Sequence, residues 1–188
     1  MQREKYSCFV IIPFTERHAP LWEALQSLQE QGLVTNNPRR GMFVVELGEI
    51  DKQKINSVRI VLEAEALRLC RQRQSEAAEN KLKKIIEDMS RPEHHWRLEL
   101  EFHRTLWNLC GNEVLEKTLT NLTAPLFTHA STAALNEPQR NAAIASHTEL
   151  LEYVQGKSDR KAEDLLLAHY RLGWSNPERY SSYYPGKS

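Results

Sequence analysis

Residues 94–110, HHWRLELEFHRTLWNLC, form the stretch that decides how this chain folds. We predict one helix from His94 to Cys110, because the Gly111-Asn112 pair that follows is a typical helix stop. Glu99 and His103 are four residues apart within it, so their side chains share one face, one turn apart. Apolar residues flank His103. The stretch therefore predicts a helix that brings two potential ligand groups to the edge of an apolar core.

The sequence around this helix predicts a mainly all-α fold. Further helices are expected over Ile55–Gln72, Glu76–Met89 with Ser75 as N-cap, Glu113–Phe127, Pro138–Gln155, and Asp159–Trp174 capped by Ser158. Residues 128–136 are expected to be an irregular connection. The connections between the predicted helices are short, and short connections make consecutive helices antiparallel neighbours. The expected fold class is therefore an antiparallel helical bundle.

The N-terminal part has a different pattern. A helix is predicted over residues 19–31, followed by β-prone pieces at 33–35 and 42–46 around the turn-rich segment NNPRRG, residues 36–41. Helix, strand, turn and strand make the second half of a winged helix-turn-helix, with a recognition helix at 19–31 and a wing at 33–46. Residues 6–14 could add a strand, but residues 1–18 are too few for two more helices, so we expect a small, truncated winged-helix piece.

This organisation predicts three segments: the winged-helix piece at 1–48, a helical domain at 49–174, and a loose tail at 175–188. A linker at 47–51 is expected across the boundary of the first two. The 25 basic and 25 acidic residues cancel, which excludes a uniformly basic surface for nucleic acid. The longest apolar stretch, Cys8–Phe14, is too short to span a membrane. Three scattered cysteines indicate reduced thiols. We therefore expect a cytoplasmic protein with no membrane partner.

Two more histidines are placed to join Glu99 and His103. His147 lies about nine residues before the Gly156-Lys157 turn and His169 about twelve after it, an axial offset of only about 5 Å in a helical hairpin. Three imidazoles and a carboxylate suit Zn²⁺ or another first-row divalent ion. Two plainer interpretations remain open, since single histidines are often ordinary core or surface residues and an i,i+4 Glu–His pair can lie on the surface.

Arginines mark two other candidate sites. Arg59 has Glu63 at i+4, which is either a surface ion pair or an arginine that faces a cavity and holds a carboxylate by two hydrogen bonds. In the wing, Arg39 and Arg40 precede Gly41, where they could contact DNA phosphates or the minor groove, or could be solvated turn residues.

These residues carry a family resemblance. PLWEAL at 20–25, LQEQGLV at 28–34 and PRRGMFV at 38–44 resemble the recognition helix and wing of the GntR superfamily of bacterial transcription regulators. The downstream pattern is similar to the FadR-type effector domain of that superfamily, the FCD domain. The matching positions are Arg59 with Leu62-Glu63, ELEFH at 99–103 with Gly111-Asn112, His147, and His169-Tyr170.

The resemblance implies a cytoplasmic homodimeric repressor or activator that binds double-stranded operator DNA. Its helical domain would hold a divalent metal ion, Zn²⁺ first and Ni²⁺ or Mn²⁺ next, and bind a small organic or sugar acid. The resemblance assigns the metal to Glu99, His103, His147 and His169, the effector to Arg59 and Asn121, and DNA contacts to Arg39, Arg40 and Gly41. Two positions depart from the family: Glu99 stands where an aspartate is usual, and Trp22 where an arginine is usual.

The alternative is a helical metalloenzyme that acts on a small carboxylic acid. Against it, the sequence has no HExxH motif, no paired Glu-x-x-His motifs and no nucleophile beside a base. We therefore predict a regulator and not an enzyme. The sequence leaves the effector, the native metal, the operator and the direction of regulation open.

Overall fold

The computed structural model describes residues 9–10, 19–38, 41–45, 47–91, 95–128 and 135–172. These form three strands and seven helices. In chain order they are β1 (Phe9–Val10), α1 (Ala19–Glu30), β2 (Val34–Asn37), β3 (Gly41–Val44), α2 (Glu49–Arg73), α3 (Glu76–Asp88), α4 (His95–Leu109), α5 (Glu113–Thr128), α6 (Glu137–Val154) and α7 (Ala162–Arg171).

The helices from α2 onward form a bundle around one apolar core, which confirms the predicted all-α class. Helix α2 is the central element, since it packs against α4, α5, α6 and α7, while α3 packs on α4 and α6. Each of the six helices contributes a fully buried leucine: Leu67, Leu82, Leu106, Leu119, Leu150 and Leu166. Burying such side chains gives about 1.5–3 kcal/mol each, so the core is the main source of stability.

The N-terminal strands form a small antiparallel sheet in the order β1–β3–β2. β2 extends two residues beyond the predicted 33–35 piece, because Asn36 and Asn37 pair with Met42 and Gly41 of β3. Gly41 has φ +97°, a conformation that a non-glycine residue rarely adopts. The other two wing candidates, Arg39 and Arg40, lie outside the described residues.

Two helix starts differ from the prediction. The expected linker at 47–51 is wrong in part, because α2 begins at Glu49. Asp51 Oδ2 accepts the backbone N–H of Gly48 at 3.3 Å, and the acidic first turn suits the positive end of the helix dipole. Helix α7 begins at Ala162 and not at Asp159. The first helical hydrogen bonds run from the N–H groups of Asp164 and Leu165 to the carbonyl oxygen of Lys161, so Lys161 is the N-cap. The hydrogen bond from the N–H of Arg160 to Ser158 Oγ belongs to the turn before the helix.

The other predicted helices agree with the structure to within one or two residues at each described end, and the predicted caps Ser75 and Gly111-Asn112 lie at helix boundaries. Residues 173–188, which include the predicted tail, lie outside the described part of the chain. The division into segments 1–48, 49–174 and 175–188 stays a prediction. Among the described helices, none is both long and apolar enough to cross a membrane.

Candidate metal centre

Four potential metal ligands meet inside the helical bundle. Glu99 and His103 come from α4, one turn apart as their spacing predicts, while His147 comes from α6 and His169 from α7. One ligand atom of each residue lies within 4.8 Å of the corresponding atoms of the other three. The three imidazoles are buried, and 26% of the Glu99 side chain is exposed. The plainer interpretation of isolated core or surface histidines therefore does not describe this group.

The separations between the donor atoms fit a single small cation. Glu99 Oε1 lies 3.2 Å from His103 Nε2 and 3.4 Å from His169 Nε2, and Glu99 Oε2 lies 3.2 Å from His147 Nε2. The Nε2 atoms of His103 and His169 are 3.1 Å apart. Donor atoms bound to one Zn²⁺ at 2.0–2.1 Å in a tetrahedron are about 3.3 Å apart. These four separations are close to that value, and the ligand atoms of all four residues lie within 4.8 Å of one another.

Each imidazole is oriented by a group on the side away from the centre. His169 Nδ1 lies 2.8 Å from Ser146 Oγ, His147 Nδ1 lies 2.7 Å from the carbonyl oxygen of Ala143, and His103 Nδ1 lies 3.4 Å from Glu63 Oε2. Such partners favour the Nδ1–H tautomer and turn the Nε2 lone pair toward a metal. Among the described residues, Nδ1 of His103 makes no hydrogen bond, so its approach to Glu63 is a charge contact only, and the buried Nε2 of His147 has no hydrogen-bond partner. A cation at the centre would satisfy it.

Glu63 is the hub of the surrounding polar network. Its Oε1 accepts hydrogen bonds from Arg59 Nε at 2.9 Å and Trp107 Nε1 at 3.0 Å, and its Oε2 accepts the Tyr170 hydroxyl. Burial raises the pKa of the Glu63 carboxyl, but the charges of Arg59 and His103 lower it by more. The net effect holds this pKa well below its usual range. Glu63 is therefore a fixed negative charge behind the cluster.

The same competition between burial and charge sets the ionisation of the ligands. Burial raises the pKa of Glu99, but the imidazoles around it hold the pKa well below its usual range. Burial lowers the pKa of His169 to about 4, so its imidazole is neutral at pH 7, the form that binds metals. At His103 burial lowers the pKa, but Glu63 raises it above its ordinary value. A metal ion would therefore compete with a proton at His103.

Arg59 is not a surface residue. Its side chain is 5% exposed, pairs with Glu63 and lies over the rings of Tyr170 and Phe127, 4.3 Å and 5.3 Å from their centroids. The surface interpretation of the Arg59–Glu63 pair is wrong, although the pair itself exists. Arg59 Nη2 is buried and has no hydrogen-bond partner within the described residues, and the same is true of Asn56 Oδ1, three residues earlier on α2.

The remaining predicted site residues are not joined to this group by any described contact. Asn121 is exposed on α5, and Gly41 belongs to the N-terminal sheet. Sequence reasoning gave no site role to Trp107, Ser146 or the Tyr170 hydroxyl. The sequence did hold a signal for two of these residues. Trp107 follows His103 by four residues on the same helix face, and Tyr170 directly follows His169. Ser146 lies next to His147 but serves the other histidine, a relation that only the packing of α6 on α7 creates.

Comparison with known proteins agrees with this architecture. The model of the FCD domain family matches residues 54–172, which include all four cluster residues. The chain is 24% identical over 164 residues to the HTH-type transcriptional regulator YdhC of Bacillus subtilis (strain 168), covering 84% of this chain and 73% of YdhC. This relative points to transcription regulation and away from an enzyme.

Solved structures share the fold. McbR/YncC of E. coli superposes with a TM-score of 0.67 at 18% identity, over 96% of this chain and 90% of that one. GntR of Streptococcus agalactiae gives 0.54 at 18% identity, over 89% and 90%. The family match spans more than half of the sequence, and the chain therefore belongs to the FCD domain family, as a GntR-family transcription regulator with an FCD effector domain.

Proposed function

We propose that the helical domain senses a small organic or sugar acid through a divalent metal ion held by Glu99, His103, His147 and His169. The convergence of three Nε2 atoms and both Glu99 oxygens, with a polar group behind each imidazole, is the observation that carries this proposal. Three imidazoles and a carboxylate favour Zn²⁺, with Ni²⁺ or Mn²⁺ as the alternatives. When bound, such an ion would supply a positive centre that accepts an effector oxygen as a fifth ligand, beyond the four protein side chains.

The extra methylene of Glu99, compared with the usual aspartate, supports this assignment of ligands. Its carboxylate spans the cluster, because Oε1 lies near His103 and His169 while Oε2 lies near His147. A glutamate can therefore serve this position with both oxygens directed at the same centre.

Arg59 is the residue proposed to hold the effector. Its Nε binds Glu63, which leaves Nη2 as a buried donor without a partner among the described residues. A buried donor left unpaired costs about 1–3 kcal/mol, so a carboxylate oxygen at this position would recover that free energy. The buried Oδ1 of Asn56 also lacks a described partner and, as an acceptor, would take a hydrogen bond from a hydroxyl group of the effector. Asn121 stays a weaker candidate because it is exposed.

The regulatory part of the proposal is a thermodynamic linkage between effector binding and DNA binding. A cytoplasmic homodimer would bind double-stranded operator DNA through its winged-helix pieces, with Arg39 and Arg40 at the Gly41 turn as the wing contacts. Acid binding in the bundle would shift the balance between two arrangements of the dimer. Effector affinity and DNA affinity would then change by the same factor in either direction.

The test uses isothermal titration calorimetry of citrate and gluconate into the zinc-loaded and the EDTA-treated full chain. We expect binding only to the zinc-loaded protein, and we expect Glu99→Gln to abolish it. Glu101→Gln is the matched control, because Glu101 is exposed on the same helix two residues away. Equal binding to the loaded and stripped protein, or equal effects of the two variants, would reject the metal-dependent sensor.

A further inference from the structure

A stripe of residues on the outer face of α2 has the three-four spacing of a coiled-coil seam. We call it the α2 seam, and its members are Asp51, Lys54, Val58, Val61, Glu65 and Arg68. Arg68 is half-buried, and the other five are exposed. Val58 is 49% exposed and Val61 is 61% exposed, although the opposite face of α2 packs into the bundle. Val58 and Val61 form a small exposed apolar patch at adjacent seam positions, which a second apolar surface could cover.

The order of charges along the seam is self-complementary. Read forward it is acid, base, valine, valine, acid, base, and read backward it is base, acid, valine, valine, base, acid. Two antiparallel copies would therefore place Val58 against Val61, Lys54 against Glu65, and Asp51 against Arg68. A parallel pair would place like charges against each other at every charged position.

We propose that the α2 seam is the surface through which two copies of this chain pair, antiparallel about a two-fold axis that passes between Val58 and Val61. A closed two-fold interface uses the same patch on both copies and must be complementary to itself, which is the property of this stripe. An unrelated partner would not require that symmetry. This inference rests on the proposed homodimer and names its surface.

Lys54 and Glu65 are the pair that distinguishes this register. The outer pair is less informative, because Arg68 already contacts Glu163 and Asp51 accepts the Gly48 N–H within its own chain. Glu65 is 52% exposed and contacts Arg68 through Oε2 at 3.4 Å, so a lysine of the second copy would share this carboxylate with Arg68. Lys54 has one weak contact within its own chain, to Asp51 at 4.0 Å, so its charge is available to the second copy. The two-fold axis doubles the Lys54–Glu65 pair, and one substitution therefore changes two contacts.

The experiment is sedimentation equilibrium of the full chain with Lys54→Glu, with the charge-swapped Lys54→Glu/Glu65→Lys, and with Lys83→Glu as the control. Lys83 is matched to Lys54: it is 65% exposed against 61%, and lies 3.9 Å from Glu87 where Lys54 lies 4.0 Å from Asp51. Turning two attractive pairs into repulsive ones should weaken dimerisation about tenfold. The swapped variant should return to within about threefold of the unmodified chain.

The outcomes separate the surface from the dimer itself. If Lys54→Glu dimerises as tightly as Lys83→Glu, the α2 seam is not the interface, and the proposed homodimer stands on another surface. If Lys54→Glu weakens the dimer but the swapped variant does not restore it, the antiparallel register is wrong. A chain that is monomeric at every concentration would overturn both the seam and the homodimer.

Discussion

Replacing Glu63 by glutamine removes the charge at the hub of the buried polar network. Arg59 would keep its positive charge with its side chain 5% exposed, facing a neutral amide where a carboxylate oxygen now lies 2.9 Å away. Breaking a buried ion pair by removing one partner costs about 3–5 kcal/mol, because the other charge is left unpaired in the interior. We predict a loss of that size in the free energy of unfolding, a large part of the 5–15 kcal/mol typical of a domain.

The assay is urea unfolding of the full chain in excess EDTA, which keeps metal binding out of the measurement. The matched control is Glu149→Gln, since Glu149 lies 2.7 Å from Arg160 in a pair of the same chemistry with both side chains 50% exposed. An exposed pair of this kind contributes about 0.2–1 kcal/mol. The comparison therefore separates burial from the mere presence of an Arg–Glu pair.

A loss for Glu63→Gln no greater than the loss for Glu149→Gln would show that burial does not strengthen the Arg59–Glu63 pair. If the variant is unfolded without urea, the stability of the unmodified chain must itself be below about 5 kcal/mol.

Urea unfolding at acidic pH tests the contribution of the Glu63 charge in a second way. Glu63 stays ionised in the folded chain well below its usual pKa, whereas the unfolded carboxyl takes up a proton near pH 4. Its stabilisation is present above that pH and falls below it, so the deficit of the variant should shrink in acid.

Three further predictions follow from the site and its surroundings. Ser146→Ala, which removes the partner of His169 Nδ1, should weaken zinc affinity at least about tenfold in a competition titration, whereas Thr148→Val should not, because that hydroxyl only bonds the carbonyl of Ile144. Burial raises the pKa of Cys70 to about 12, so a disulfide reagent at pH 8 should modify this thiol in a Cys8→Ser chain only on unfolding, as mass spectrometry of digested protein would show. Gly111→Ala should lower the unfolding free energy by at least about 1–2 kcal/mol in urea, because Gly111 has φ +63° and a Cβ there would displace the Arg73 guanidinium.

Much of the helical architecture was accessible from sequence because the signals are local. The Gly111-Asn112 stop and the Ser75 cap act within a few residues, and the structure places helix boundaries at both. The start of α7 was missed because a serine whose Oγ accepts the N–H two residues later, as Ser158 does from Arg160, occurs both at helix N-caps and in isolated turns. The residue type alone cannot decide between them.

The cluster of ligands was predicted for a similar reason. Helical spacing fixes Glu99 and His103 on one face, and a short hairpin fixes the level of His147 against His169. The orienting shell was less accessible, because Ser146 reaches His169 and Glu63 reaches Trp107 and Tyr170 only through the packing of different helices. The i,i+4 spacing of Arg59 and Glu63 is the same in a buried and in an exposed ion pair. The sequence therefore predicted the pair but not its burial.

Metal content is the quantity that tests the central claim most directly. Elemental analysis and X-ray absorption of the purified full chain should find one first-row metal ion per chain, with imidazole nitrogens at about 2.0–2.1 Å if the ion is zinc. A His103→Ala/His147→Ala chain should contain none. A native chain without metal that takes up no Zn²⁺, Ni²⁺ or Mn²⁺, or a double variant that retains the full metal content, would contradict the claim that these four side chains hold one cation.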